Sequence, residues 1–482
     1  MRALTLIHRW LGVAFCLLFA MWFASGIVMH FVPFPELTEA ERVSGLAPID
    51  AAGVRYGPTA ATAAAGVAGA TRVRLLARAD GVVYLVEGAS SPIALHAMDL
   101  SPARVQSESL ALAIAADHAR RRGMEAMQAR YVELAGHDQW TVPNGLDPHR
   151  PLHRIALNDD AGTELYVSSA TGEVVRDTTR RERWWNYGGS VVHWIYPTVL
   201  RRDWRAWDAV VWTLSLAALV TAISGALLGS LRIQVAHGRL VSSYAGWHAW
   251  HHWLGLSCMA FVLTWILSGW LSMDHGRLFS SGKAAASESA AFTGAPAWDL
   301  RASEIERISP HAREIEWFTF DRQLYRRERF GLTAQRLSRA GEASAPTRAY
   351  LQPAQITAAA RRFAPDCEGA FPVPAADAYA MVPTMPGAPV YRVVCGTDWF
   401  HIDGASGRVL EKLDASRRAY RWVYGALHTL DFPALAARPA LRTAVVVSLC
   451  AAGLAFSLTA VVIGWRRLRS EFLAPALRER AE

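Results

Sequence analysis

The chain has 482 residues, 52% of them hydrophobic, with 50 Lys and Arg against 42 Asp and Glu for a formal net charge of +8. It is too apolar for an ordinary soluble protein of this size and too polar to be membrane throughout, which leaves a few spans joined to sizeable water-exposed segments. The positive charge gathers beside the apolar runs, where a membrane surface accounts for it and no nucleic-acid partner is needed.

In chain order, the first apolar run extends from about residue 3 to 32 and opens with HRWLG, His8 to Gly12. It is too long for a secretory leader and has no clear cleavage pattern, so it reads as a retained anchor. VRLLARADGVVYLVE, from Val73, reads as strand, tight turn, strand, and SESLALAIAADHARRR as a helix. YVSSATGEVV, Tyr166 to Val175, precedes Arg180, Arg181 and Arg183 and then VVHWIYP, which carries His193. The second run covers residues 209–229. A short loop with Arg232 and Arg239 leads to HHWLG, His251 to Gly255, and a third run over 253–273. SSGKAAASESAAFTGAPA, from Ser280, reads as a flexible surface loop. IEWFTFDRQLYRRE, from Ile315, is again a strand pair, and QITAAARRFA again a helix. HIDGASGRVL, from His401, precedes Arg417, Arg418 and Arg421, then GALHTLDFP with His428, and the fourth run over 443–465.

Each run meets the roughly 20 residues that a bilayer crossing needs. Arginines beside the run ends are Arg2 and Arg9, then Arg232 and Arg239, then Arg466, Arg467, Arg469, Arg478 and Arg480. They put the N-terminus, the short loop and the C-terminus in the cytoplasm, with the two long segments outside. The expected division is a first span at 1–33, an outer domain with its pre-span segment at 34–203, and a second span at 204–232. A cytoplasmic loop at 233–246 and a third span at 247–275 follow, then a second outer domain at 276–437, a fourth span at 438–466 and a tail at 467–482. Cys16, Cys258 and Cys450 fall inside the runs and read as packing residues. Cys367 and Cys395 share the second outer segment, where an oxidising compartment permits a disulfide. Without CxxCH or paired CxxC motifs, neither covalent c-type haem nor a cysteine-held zinc or iron–sulfur site is expected.

The chain repeats itself. Trp10, Leu11, Gly12, Trp22, Ser25 and Gly26 fall on Trp253, Leu254, Gly255, Trp265, Ser268 and Gly269 at a constant offset of 243. His193, Ala209, Val210 and Gly229 fall on His428, Ala444, Val445 and Gly464 at 235, as Gly172 falls on Gly407. Each half therefore reads as a span, a small outer α+β domain and a returning span.

These features resemble the PepSY-associated transmembrane family. The resemblance rests on the HRWLG-type first span, outer strands ending in an x-TG-x-V hairpin, and the GxLHxLDFP-like entry to the last span. It covers nearly the whole chain, with VVHWIYP a degenerate counterpart of GALHTLDFP in the first half. It implies a bacterial inner-membrane protein: an α-helical four-helix bundle of four spans with a two-fold internal repeat, plus two periplasmic α+β PepSY-like domains. Some family members are b-haem reductases that release iron from ferric siderophores in the periplasm, and others are assigned only by homology.

Nine of the sixteen histidines lie in or beside the runs: His8, His30, His193, His237, His248, His251, His252, His275 and His428. Ionisable groups at membrane depth are costly and mark functional sites. In a bundle built from two equivalent halves, residues matched by the repeat face each other at equal depth. His8 then opposes His251 near the cytoplasm, and His193 opposes His428 near the periplasm, as two bis-histidine b-type haems require. Gly12 and Gly255, four residues after His8 and His251, share their helix faces and leave room for a porphyrin. His252 is the alternative to His251, and a His30–His275 pair the alternative outer site. His193 and His428 reach the haem only if their short helices dip into the bundle mouth. The upstream arginine clusters suit propionates or lipid headgroups.

The expected activity is that of a haem-dependent transmembrane oxidoreductase of the ferric-chelate reductase type. Electrons come from a quinol or a separate cytoplasmic reductase and pass to a periplasmic ferric chelate or siderophore. No GxGxxG, HExxH, GxSxG or P-loop is present. The alternative is a non-catalytic, membrane-anchored PepSY module that binds partners or regulates a peptidase. A transporter would need broken helices or buried charges along a path.

Overall fold

The computed structural model describes residues 1–67, 69–88, 91–126, 128–294, 298–300, 303–342 and 344–473. Four helices among them are long and apolar enough to cross a membrane: Arg2–Phe31, Trp204–Leu231, Gly246–Ser272 and Pro439–Leu468. At about 1.5 Å per residue each exceeds the ~30 Å hydrocarbon core. The last three begin before the apolar runs do. Asp203 caps the second span, accepting the backbone N–H groups of Arg205 and Ala206 at 3.0 and 3.1 Å. Pro439 opens the fourth span, where the missing N–H costs nothing. Arg478 and Arg480 lie outside the described residues.

The chain divides into two units. The first comprises Met1–Phe34, Trp184–Phe279 and the chain from Arg418 onward. In it the first span packs against the second and fourth, and the third against the same two. Phe19, Phe23, Ala218, Leu219, Cys258, Val262 and Ile266 form the shared core. Small residues let these helices approach, as the Phe23 ring lies directly on Gly453. A two-residue turn, His237 and Gly238, both at positive φ, joins the hairpin strands Ile233–Ala236 and Arg239–Ser242.

The second unit comprises Pro35–Arg183 and Ser280–Arg417. Each segment supplies the expected strand pair, Arg72–Arg78 with Gly81–Glu87 and Glu314–Phe320 with Gln323–Arg329. The sequence reading keeps these in separate domains. The structure joins them edge to edge, Arg72 opposite Phe318, in one antiparallel six-stranded sheet. Along Arg72–Arg78, Arg72 and Arg74 lie on one face of that sheet and the buried Val73 and Leu75 on the other. Arg74 pairs with Glu87, Glu173 and Glu314, and Arg72 with Glu316. Burial alone would raise the Glu314 carboxyl, but Arg42 and Arg74 hold it well below the usual carboxylate range. These ion pairs join both segments, as does a shared core in which Val73, Leu75 and Tyr84 pack with Ile305, Ile315 and Trp317.

Two four-stranded sheets complete the unit, each with a helix on one face. Glu108–Arg121 buries Ala111, Ile114 and Ala115 against Ile155, Leu165 and Val167. Pro353–Phe363 buries Ile356, Ala359 and Ala360 against Val393, Phe400 and Ile402. A disulfide links Cys367 to Cys395. The segment from Ser280, expected to be a loop, forms a helix over Ala286–Thr293. Its alanines favour that state and Phe292 anchors it, fully buried against Phe400. Residues 295–297 lie outside the described residues.

Candidate functional site

The two histidine pairs selected by the repeat are each brought together. The ring centres of His8 and His251 lie 6.3 Å apart, and those of His193 and His428 lie 6.4 Å apart. His8 and His251 sit on the first and third spans. His193 and His428 sit on short helical turns whose rings reach the first and third spans. Each follows a widened π-type turn, Tyr187–Val191 and Arg421–Ala426. Two residues beyond each histidine the backbone turns left-handed, at Ile195 (φ 49°) and Leu430 (φ 53°). The next helix then begins with Pro197 as its N-cap in one half and Pro433 as its first residue in the other.

The hydroxyl partners fix the tautomers. His8 Nδ1 lies 3.2 Å from both the Thr221 carbonyl oxygen and Ser224 Oγ, and His251 Nδ1 lies 2.9 Å from Thr459 Oγ1. His193 Nδ1 lies 3.0 Å from Ser25 Oγ, and His428 Nδ1 lies 3.2 Å from both Ser268 Oγ and the Trp265 carbonyl oxygen. Each of these four hydroxyls donates its own proton to a backbone carbonyl of its helix. Each must therefore accept from the imidazole, so all four rings carry the proton on Nδ1 and keep the Nε2 lone pair. A ligating histidine is held in this way. Ser224 and Thr459 share the 235 offset and Ser25 and Ser268 the 243 offset, so this support was readable in the sequence but not read there.

Each pair opens on a cavity. About 930 Å³ surrounds His8 and His251, lined also by Arg9, Gly12, Phe456 and Arg466. About 670 Å³ surrounds His193 and His428, lined also by His30, Arg201, Tyr424 and Arg442. Both are of ligand size. A side chain at Gly12 would meet nothing within 4 Å, whereas one at Gly255 would meet Phe456, whose ring stacks on His251 at 4.8 Å. Gly225, not singled out from the sequence, and Gly269, named there only as the repeat partner of Gly26, give the rings of His8 and His428 their seats: a Cβ would lie 2.6 and 3.1 Å from their Cε1 atoms. Phe19, Trp22, Phe23, Phe261 and Trp265 pack together, Phe19 lining the first cavity and Trp22, Phe23 and Trp265 the second.

The remaining candidates are engaged elsewhere. His252 has both nitrogens taken, Nδ1 by Ser242 Oγ at 2.7 Å and Nε2 by the Gly229 carbonyl oxygen at 2.8 Å. It ties the hairpin to the second span and has no lone pair to offer iron. His275 Nδ1 lies 2.6 Å from Asp208 Oδ2, and His30 Nε2 lies 2.8 Å from Thr443 Oγ1, so these two do not form a pair. Of the upstream arginines that suit propionates or lipid headgroups, Arg183 binds the Gly162 and Thr178 carbonyl oxygens, Arg417 pairs with Glu411 and Arg421 with Asp431. The arginines lining the second cavity are Arg201 and Arg442.

Among the described residues no group of three or more His, Cys, Asp or Glu could hold a metal ion. Two neighbouring imidazoles, each with Nε2 unclaimed by a hydrogen bond, suit an iron whose other ligands come from a porphyrin. Two metal–imidazole bonds of about 2 Å each would set the ring centres roughly 6 Å apart, as both pairs are. Comparison with protein-family models and with curated proteins finds no match to this chain.

Proposed function

We propose that the chain is a transmembrane electron-transfer protein that holds two b-type haems, one between His8 and His251 and one between His193 and His428. The observation that carries this reading is the pair of opposed imidazoles, each with Nδ1 held and Nε2 turned free, at a spacing that fits one iron. Bound there, the haems would supply a one-electron relay between Fe(III) and Fe(II). The four hydroxyls orient the rings, and the glycines beneath them clear the space. Ser25, at the His193 ring, lies seventeen residues after His8, roughly 25 Å of helical rise. The aromatic cluster of Phe19, Trp22, Phe23, Phe261 and Trp265 packs in the interval.

The wider reading is a four-helix bundle with an internal repeat, resembling the PepSY-associated transmembrane family, in a bacterial inner membrane. The repeat is supported by the shared offsets of the histidines, their hydroxyl partners and the left-handed residues Ile195 and Leu430. The arginines of the termini and the Ile233–Ser242 hairpin favour the cytoplasm for that side. The Cys367–Cys395 disulfide favours an oxidising compartment for the second unit. On this reading His8 and His251 form the inner site and His193 and His428 the outer. The acceptor is a ferric chelate or siderophore, each Fe(III) gaining one electron. The donor is a quinol or a cytoplasmic reductase, oxidised by the same number of electrons.

The test is haem content of the purified protein by reduced-minus-oxidised spectroscopy. Two b-type haems per chain are expected, with one lost in His8→Ala and one in His428→Ala. A protein that binds no haem, or variants that keep both, would refute the reading.

A further inference from the structure

The outer cavity holds charge as well as imidazole. Arg442 lies in the first turns of the fourth span and lines the cavity. One guanidinium nitrogen donates to the Thr429 carbonyl oxygen at 2.8 Å, one residue beyond His428. Its Nε is buried and has no hydrogen-bond partner, and no acidic side chain among the described residues pairs with it. The adjacent Thr443 serves His30 instead. Arg201 lines the same cavity, its guanidinium 5.1 Å over the Tyr196 ring and 4.9 Å over the Trp207 ring. The Arg442 guanidinium, with its Nε buried and lacking an acceptor, gains from an anion that reaches it. The planar fork of arginine matches a carboxylate, and the positive end of the fourth span adds to the attraction.

We propose that Arg442 receives a carboxylate inside the outer cavity, with Arg201 as the second cation of the site. This rests on the haem reading of His193 and His428. Two sources carry the group: a propionate of the cofactor, or a carboxylate of the ferric chelate that docks to be reduced. The tether holds the guanidinium to Thr429, next in the chain to His428, in the cavity that both residues line.

The experiment removes the carboxylate from the ligand rather than from the protein. The full chain carrying His8→Ala, which keeps only the outer site, is stripped of haem and titrated with haem or with its dimethyl ester. Haem should bind at least tenfold tighter than the ester. Arg442→Gln should abolish that preference, and Arg442→Lys should keep part of it. In the otherwise unchanged chain, Arg442→Gln should retain the inner haem, which controls for folding. If the preference survives Arg442→Gln but the variant loses its advantage for ferric citrate over a neutral ferric hydroxamate, the carboxylate belongs to the chelate. If neither preference moves, the proposal is overturned while the haem reading stands. Failure of His8→Ala to bind any haem would instead refute the reading beneath it.

Discussion

His193 and His428 meet with their ring planes 67° apart and their centres 6.4 Å apart. The inner pair, His8 and His251, is more nearly parallel at 36°. Axial imidazoles that are close to perpendicular leave the iron dπ orbitals nearly degenerate, whereas closer alignment splits them. The oxidised protein should therefore give two low-spin ferric signals by electron paramagnetic resonance, the more anisotropic one from the outer site. His428→Ala should remove that signal and leave the rhombic one. A single signal type from both sites would contradict the geometry.

His251 and His252 are neighbours with opposite assignments. His251 keeps a free Nε2, while His252 spends both nitrogens on Ser242 and Gly229. His251→Gln should cost about half of the bound haem. His252→Gln should retain both haems and loosen only the hairpin, seen as faster hydrogen exchange over residues 233–242. Haem loss in His252→Gln with none in His251→Gln would reverse the assignment.

The pairing of histidines was legible because a repeat with a constant offset converts sequence position into depth. The choice between His251 and His252 was not, because it depends on hydrogen bonds that the rings donate to Thr459 and Gly229, 208 and 23 residues away. The four long apolar helices were legible for a simple reason: a bilayer demands length and apolarity in one segment. The joining of the two outer segments was not. An edge such as Arg72–Arg78 carries no mark of which strand will pair with it, and the partners of its arginines, Glu314 and Glu316, lie 240 and 244 residues away. The helix Ala286–Thr293 was missed because an alanine- and serine-rich stretch takes its structure from one buried anchor, Phe292.

Leu430 ends the turn that carries His428 in a left-handed conformation that side chains rarely adopt. Holding it costs on the order of 1–3 kcal/mol, so the surroundings must enforce it. Leu430→Gly should keep the outer haem, since glycine adopts the conformation freely. Leu430→Pro should lose it, because proline fixes φ near −65°, and the inner haem should remain. Equal haem content in the two variants would show that the turn does not position His428.

The Cys367–Cys395 bond closes a separation of 28 residues within the second unit. Chain-entropy arguments assign such a loop about 3.5 kcal/mol. Replacing both cysteines by serine should accelerate hydrogen exchange in Val390–Cys395 and Asp398–Asp403 and leave haem content unchanged. Unaltered exchange would mean that the bond adds little to that sheet.

Acid should weaken the second unit through two buried histidines. Arg392 Nε donates to His401 Nε2 at 2.9 Å, so the ring is neutral, and Arg392 is held in turn by Asp377. Burial, then the Arg392 charge, pushes His401 down to about 4, against a smaller opposing pull from Asp377. His118 packs on Gly45 and is also pushed down to about 4, by burial and then by Arg122 and Arg42, against Asp117 and Glu41. In both cases the folded form binds protons less readily than the unfolded chain. The stability from each neutral ring is complete above about pH 6.5 and falls between there and pH 4, by roughly 1.4 kcal/mol per pH unit per histidine. Carboxylates such as Glu314 are depressed instead, and their contribution is lost only at still lower pH. Hydrogen exchange over Glu108–Arg121 and Asp398–Asp403 should therefore quicken from pH 6.5 to 4 after correction for the intrinsic rate. His401→Gln, which can still accept from Arg392, should flatten the second of these profiles and not the first. Identical profiles in the two proteins would rule out His401 as the titrating group.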